Sequence, residues 1–371
     1  MIDDFEEYIR QGEPSQKEKG QIWQTAIGLQ LVDGLTPSAY LIETAKENIE
    51  GKISIEEVKY RIDSYYKQHN VRKTVEGDRT EEADKVSVNI TEILSEKTFT
   101  FSPAELLSIH KRLFTGVENI TVKVGEIRDY NITKNEWVLN GNTVYYASAD
   151  NINATLDYDF RQEKNFNYKG LTKREIVEHI ANFISGLWQI HAFGEGNTRT
   201  IAVFTIKYLR TFGFEVENDM FAKYSWYFRN ALVRANYNDY QHKVYATSEY
   251  LMKFFGNLLL GENNELKNRY LRVDVNTDVV EEQTAALKAN EGGQKADLGG
   301  QKRWSEKVVR LLDLIKTNPA ITRKELSEAL GINPSAVQKH MNKLKNEGVI
   351  AREGSDKKGV WKVINNGNNN E

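Results

Sequence analysis

Residues 191–200 read HAFGEGNTRT and lie between two runs with helical apolar spacing, so the fold must hold a polar, glycine-bearing loop between two buried helices. The run before it carries Ile176, Ile180, Ile184, Leu187 and Trp188, which puts His191 at the carboxyl end of its helix. The run after it carries Ile201, Phe204, Tyr208 and Phe212. Asn197 or Thr198 is then the natural N-cap, and the amides of Gly196, Asn197 and Thr198 are left to face an anion. Helix, turn and helix predict an anion nest with a histidine at its lip.

The loop resembles the signature of the Fic (Fic/Doc) family, His-x-Phe-x-(Asp/Glu)-Gly-Asn-(Gly/Lys)-Arg followed by a second Arg three positions on. His191, Phe193, Glu195, Gly196, Asn197 and Arg199 fall on that pattern, whereas Ala192, Thr198 and Ala202 stand where the family most often has Pro, Gly and Arg. FTFSPAELLSIHKRLFTG (99–116), GEIRDYNI (125–132) and YFRNALVRAN (227–236) also read like segments of a Fic core. The resemblance covers roughly residues 90–260, about one domain.

It implies transfer of AMP from ATP to a Ser, Thr or Tyr hydroxyl of a protein, or of the chain itself. His191 has the side chain suited to take the hydroxyl proton, provided that it is neutral. Glu195 offers a hard oxygen ligand for Mg²⁺, which at such sites is held by one carboxylate and substrate phosphates. Gly194, Gly196, Asn197, Thr198, Arg199 and Thr200 are the expected phosphate cradle, with the Asn197 side chain on the α-phosphate and Arg199 gripping the distal phosphates as a forked donor. Asn236 matches a position that contacts adenosine in some family members, and Phe193 reads as an apolar plug beneath the loop. Ala202 removes the second Arg, which would lie on the same helical face as Arg199. Lys207 and Arg128 are the candidate substitutes, a different nucleotide the alternative.

Residues 132–152 alternate weakly around Asn140-Gly141-Asn142, a tight-turn signal, and predict a hairpin. By resemblance this is the flap that registers a target segment by strand addition, with Val144, Tyr145 and Tyr146 on it. An ordinary surface hairpin is the other reading.

The N-terminal stretch 26–66 resembles the small antitoxin that accompanies some Fic proteins. There a Ser or Thr, three residues, then Glu-Gly forms an inhibitory helix end whose glutamate pairs with the second Arg of the loop. Leu29, Asp33 and Gly34 occupy those positions. With Ala202 in place of that Arg, the residue at position 33 is expected to meet no buried cation and to inhibit weakly. Asp33-Gly34 also reads simply as a helix end followed by a turn.

The chain divides into an antitoxin-like helical unit (1–70), a Fic core (71–272), a linker (273–301), a winged helix-turn-helix (302–364) and a disordered tail (365–371). The linker mixes Gly, Gln, Lys, Asp and Ala without a sustained apolar face. Residues 302–364 carry fourteen Lys or Arg against seven Asp or Glu, a net +7, so the remainder carries −10 of the overall −3. Thr322 caps a helix there, and Val349-Ile350 with Val360-Trp361 read as wing strands. Ser335, Gln338, Lys339 and Asn342 fall on the presumed recognition helix and suit phosphate and base-edge contacts on DNA. Winged helices also dock proteins or dimerise.

With 371 residues, 40% of them hydrophobic, the chain can bury more than one core. It has no cysteine, which excludes disulfides and thiolate metal sites. The acidic start MIDDFEEYIR does not read as a secretory signal, and the greasiest run, 250–260, is short and contains Lys253. The expected protein is mainly α, cytoplasmic, without membrane contact and able to dimerise. Two functions stay open: an adenylyltransferase, favoured by His191, and a nucleotide-sensing, DNA-binding transcriptional regulator with a weakened Fic core, favoured by Ala202.

Overall fold

The computed structural model describes residues 2–68, 75–117 and 122–273 except 215, 217 and 218, and residues 311–363 except 313, 316, 317, 320, 331–336, 338–340, 342, 343, 346–349 and 354–359. Residues 1–285 form one compact unit and residues 286–371 another.

The first unit is helical. Its elements are α1 (Ile2–Gln11), α2 (Pro14–Gly28), α3 (Ala39–Ile49), α4 (Ile55–Gln68), α5 (Val75–Ser95), α6 (Pro103–Phe114), α7 (Ile152–Asn165), α8 (Lys173–Ile190), α9 (Asn197–Thr211), α10 (Asp219–Ala235) and α11 (Glu249–Leu260). Their starts are written locally. Ser38 accepts from the Leu41 amide and Ser102 from that of Glu105, the latter with Pro103 in the first turn. Thr172 and Glu175 cap α8 reciprocally. Among the described residues no helix is long and apolar enough to cross a membrane.

Helix α2 joins two apolar clusters because its sides carry different contacts. Ile22 and Ala26 enter the large core built on α5, α6, α8, α9, α10 and α11, whereas Trp23 and Ile27 enter a smaller one with Phe5, Leu41, Val58, Ile62 and Tyr66. Trp23 Nε1 donates to Asn48 Oδ1 (3.0 Å), so its one polar atom is satisfied inside that cluster. Where α2 ends, Gly28 lies against α10 so closely that a Cβ would come within 2.5 Å of the Ala222 Cα. Ser225 Oγ donates to the Gly28 carbonyl (2.9 Å) at the same contact. A 3-10 turn, Leu29–Asp33, follows and is ended by Gly34 in the left-handed region (φ 69°). Position 33 is thus a helix end, as its sequence suggested, and it is carried into the interior.

The segment 132–152 departs from the hairpin expectation. It does reverse at Asn140-Gly141, with the Glu136 amide donating to the Asn142 carbonyl (2.9 Å) and the Gly141 amide to the Glu136 carbonyl (3.0 Å). The arm before the turn, however, is a 3-10 helix (Trp137–Leu139), and no strand is present there. Val138 and Leu139 are both buried, so consecutive residues point inward and the period-2 ladder is lost.

In the second unit, α12 (Arg323–Leu330) is capped by Thr322 and Glu325 in the reciprocal manner, and β1 (Ile350–Glu353) pairs antiparallel with β2 (Val360–Val363). Leu311, Ile315, Leu326, Val337, Met341, Leu344 and Ile350 form its own core. The wing and its helix are as the sequence reads. Ser335, Gln338, Lys339 and Asn342, like the linker and the tail, lie outside the described residues.

Gly28→Ala should lower unfolding stability by about 1–3 kcal/mol, because the added methyl meets backbone that cannot rotate away. Denaturant unfolding of the full chain measures it; an unchanged midpoint would refute the close packing of α2 on α10.

Candidate functional site

The site is assembled where α8 stops. His191 is its C-cap in the left-handed region (φ 51°, ψ 56°), an uncommon conformation for a non-glycine residue. Arg128 makes this ending stable: Nε donates to the His191 carbonyl (2.7 Å), Nη2 to Ala147 and Ile190 carbonyls, and Nη1 to that of Tyr130. Arg128 therefore caps a helix and holds the 128–147 segment beside it.

The imidazole itself is buried, with 2% exposure. Nδ1 sits 3.3 Å from the Trp188 carbonyl, so that nitrogen carries the proton, while Nε2 is buried with no partner among the described residues. Burial, then the charges of Lys134, Arg128 and Arg229, push its pKa well below the ordinary range. The result is a neutral ring with a free acceptor.

The turn that follows is closed by its own side chains. Phe193 N donates to Asn197 Oδ1 (3.0 Å) and Asn197 Nδ2 donates back to the Phe193 carbonyl (2.6 Å). Asn197 thus staples the loop, a role different from the direct α-phosphate contact expected of its side chain. Phe193 is the plug: it stacks on His110 with ring centroids 3.8 Å apart and 6° between planes. His110 accepts from the Gly125 amide (2.8 Å) at Nδ1, which leaves Nε2 to donate to the Glu195 carbonyl (3.1 Å), and burial holds its pKa down at about 4.

Gly196, at φ 72°, is the N-cap of α9 in place of Asn197 or Thr198, because the chain must pass the ring of Phe114, which a Cβ would meet at 2.2 Å. Gly194 is equally tight against Tyr130 Oη (2.3 Å). With Gly196 as cap, Asn197, Thr198 and Arg199 supply the first-turn amides, and Thr200 N is bonded to the Gly196 carbonyl (3.0 Å). Thr198 Oγ1 accepts from Trp188 Nε1 (3.0 Å) and Thr200 Oγ1 donates to the Gly196 carbonyl (2.9 Å), so both hydroxyls are engaged in shaping the turn. Asn236 is engaged too, Nδ2 donating to Ser185 Oγ (2.9 Å) on α8.

Arg199 differs most from the sequence expectation. It is fully buried, pairs through Nε with Asp33 (2.7 Å), donates through Nη2 to Glu82 (2.7 Å) and through Nη1 to Gln30 Oε1 (3.1 Å), and lies over the Phe114 ring. Position 33 therefore does meet a buried cation: the arginine of the turn itself. Ala202, also fully buried, is packed among apolar neighbours. Lys207 does not substitute for the missing arginine, since its Nζ donates to the carbonyls of Ile93 and Glu96. Arg128 is likewise committed to carbonyls. The half-buried Lys134, whose ammonium is pushed down by burial, is the charge that bears most on His191, and nothing in the sequence marks it.

Glu195 is half-buried. Burial, then the nearby carboxylates Glu82 and Asp33, raise its pKa. A cation beside it would relieve that repulsion. Among the described residues no group of three or more His, Asp or Glu could hold a metal ion, so a Mg²⁺ would fit Glu195 only with phosphate and water oxygens as its other ligands.

Sequence reasoning missed Gln30, Glu82, His110, Lys134, Glu136 and Arg229. All but Glu82 lie in segments that the sequence singled out, but none carries a local pattern that marks the residue itself. Val144 is buried and Tyr145 is 83% exposed, its carbonyl accepting from Gln189 Nε2 (3.1 Å); Tyr146 packs inward on His191.

Residues 100–209 match the model of the Fic/DOC family, and residues 305–351 match that of the winged helix-turn-helix DNA-binding family. A solved Fic family protein from Desulfovibrio desulfuricans G20 is similar over 99% of this chain and 97% of its own, at 14% identity and a TM-score of 0.42. No curated protein matches the chain.

Asn197→Asp keeps the acceptor of the loop staple but turns a carboxylate oxygen on the Phe193 carbonyl. We expect a loss of about 1–3 kcal/mol in unfolding stability, read by thermal or denaturant melts. A variant as stable as the parent would show that the staple does not close the turn.

Proposed function

We propose, from a chain that carries a Fic/DOC-family domain and a winged helix-turn-helix, that it transfers AMP from ATP to a protein hydroxyl and is restrained by its own N-terminal helices. The observation that carries the reading is the free Nε2 of a neutral, buried His191 in the loop that leads into α9, a helix whose first-turn amides have no intrahelical acceptor. The incoming hydroxyl oxygen attacks the α-phosphorus, its proton passes to Nε2, and the bond from the α-phosphorus to the pyrophosphate oxygen breaks. Amides of Asn197 and Thr198 stabilise charge on the α-phosphate oxygens. Mg²⁺ on Glu195, when bound, supplies charge neutralisation for the departing pyrophosphate.

Arg199 cannot turn toward a nucleotide while Asp33, Glu82 and Gln30 hold it. The restraint is thus directed at the turn's own cation, and it is stronger than Ala202 led the sequence to suggest. The same contact favours a second reading, a nucleotide sensor coupled to DNA binding by the basic tail.

Full-length protein incubated with Mg²⁺ and α-labelled ATP should label itself or a target weakly, Asp33→Gly should raise the label at least severalfold, and His191→Ala should abolish it. Intact nucleotide binding without histidine-dependent label, across several nucleotides, would replace the transferase reading by the sensor. Because burial lowers the His191 pKa, the base stays unprotonated through about pH 6.5. The acid limb of the rate profile should accordingly fall below that value; a limb centred on it would refute a buried base.

DNA contact by the second unit is an electrostatic proposal. Binding of the full chain to duplex should weaken steeply between about 50 and 200 mM salt, as an anisotropy titration reads. Salt-independent or absent binding would favour protein docking.

A further inference from the structure

Two residues outside the Fic signature, Tyr146 and Trp188, meet the imidazole, and Glu136 and Arg229 stand behind the first. Tyr146 lies against the His191 ring, centroids 4.1 Å apart with 34° between planes, while Trp188 meets it edge-on (5.2 Å, 90°). The Tyr146 hydroxyl donates to Glu136 Oε1 (3.2 Å). Glu136, with no exposure to solvent, is held by Arg229 of α10 through Nη1 on Oε2 (2.6 Å) and Nη2 on Oε1 (3.1 Å). A forked pair of this kind fixes a carboxylate's orientation as well as its charge. Glu136 also donates and accepts the main-chain bonds that close the turn at Asn140-Gly141, so the carboxylate, the turn and the tyrosine are one unit.

An imidazole on a left-handed C-cap has two freedoms to lose: rotation of the ring and choice of tautomer. The Trp188 carbonyl at Nδ1 selects the tautomer only if the ring keeps its present rotation, and that contact is long at 3.3 Å. An aromatic ring tilted over the imidazole and a second one edge-on to it crowd the ring and raise the cost of rotating it.

Building on the transferase reading, we propose that Tyr146, anchored by Glu136 and Arg229, is the positioning residue of His191: its ring fixes the imidazole so that Nδ1 keeps the proton and Nε2 stays free to accept one. The segment that carries Tyr146 therefore also sets the base.

The test uses full-length protein with ¹⁵N-labelled histidine, and it reads the tautomer of His191 by two-bond ¹⁵N–¹H correlation beside the kinetics of labelling from α-labelled ATP. The parent should show one neutral tautomer, protonated at Nδ1. Tyr146→Leu should populate both tautomers and lower kcat on the order of tenfold or more, with the KM for nucleotide unchanged. Tyr146→Phe, which keeps the ring and loses the anchor, is the milder variant and should fall between the two in both measurements. A single tautomer and an unchanged kcat in Tyr146→Leu would overturn the proposal. So would a rise confined to the KM for the protein target, which would make Tyr146 a target contact instead. Should the parent and Asp33→Gly label nothing, the transferase reading falls, and the tautomer alone then decides whether Tyr146 positions the ring.

Discussion

A guanidinium with no exposure to water is the point on which the N-terminal half and the turn both depend. Arg199 starts the second helix of the site, yet its partners come from the end of the 3-10 turn after α2 and from α5. Burying a charge costs several kcal/mol unless it is paired, and removing one partner of a buried pair is far more damaging than replacing both. The N-terminal helices are consequently integral to the core. Their Gly28 contact with α10 and the sharing of α2 between two apolar clusters set the position from which Asp33 reaches inward.

The turn makes little use of spare polar groups. Asn197, Thr198 and Thr200 each spend their side chains on internal hydrogen bonds, and Phe193 is pinned on a neutral His110. What is left for a ligand is backbone amide, one imidazole nitrogen and the Glu195 carboxylate. Such preorganisation suits a site that stabilises developing charge, because donors already fixed in place need not reorganise during reaction. It also explains the departures from family preference at Thr198: its hydroxyl receives the Trp188 indole, which forms one wall of the histidine pocket.

Two carboxylates lie near Glu195, and the cation of the turn is paired with both of them. Freeing Arg199 from Asp33 would leave more of its positive charge for the turn, a change that favours an anionic nucleotide.

How much of this was legible in the sequence follows the range of the interactions. The helices flanking the loop, the cap at Thr322, the plug at Phe193 and the wing of the second unit were readable, since each depends on residues within a turn or two of one another. The hairpin at 132–152 was misread because alternation is a weak signal over so few residues and Val138-Leu139 bury together. Position 33 was read correctly as a helix end and incorrectly as lacking a cation. Local sequence determined where the elements start, which of them are amphipathic and that a histidine ends one helix before a glycine-bearing turn begins the next. Only the tertiary structure decided that Arg199 turns to Asp33 and Glu82, and that Glu136 holds Tyr146 against His191, because burial and charge pairing between separate segments of the chain are energies of the assembled core and have no local signature.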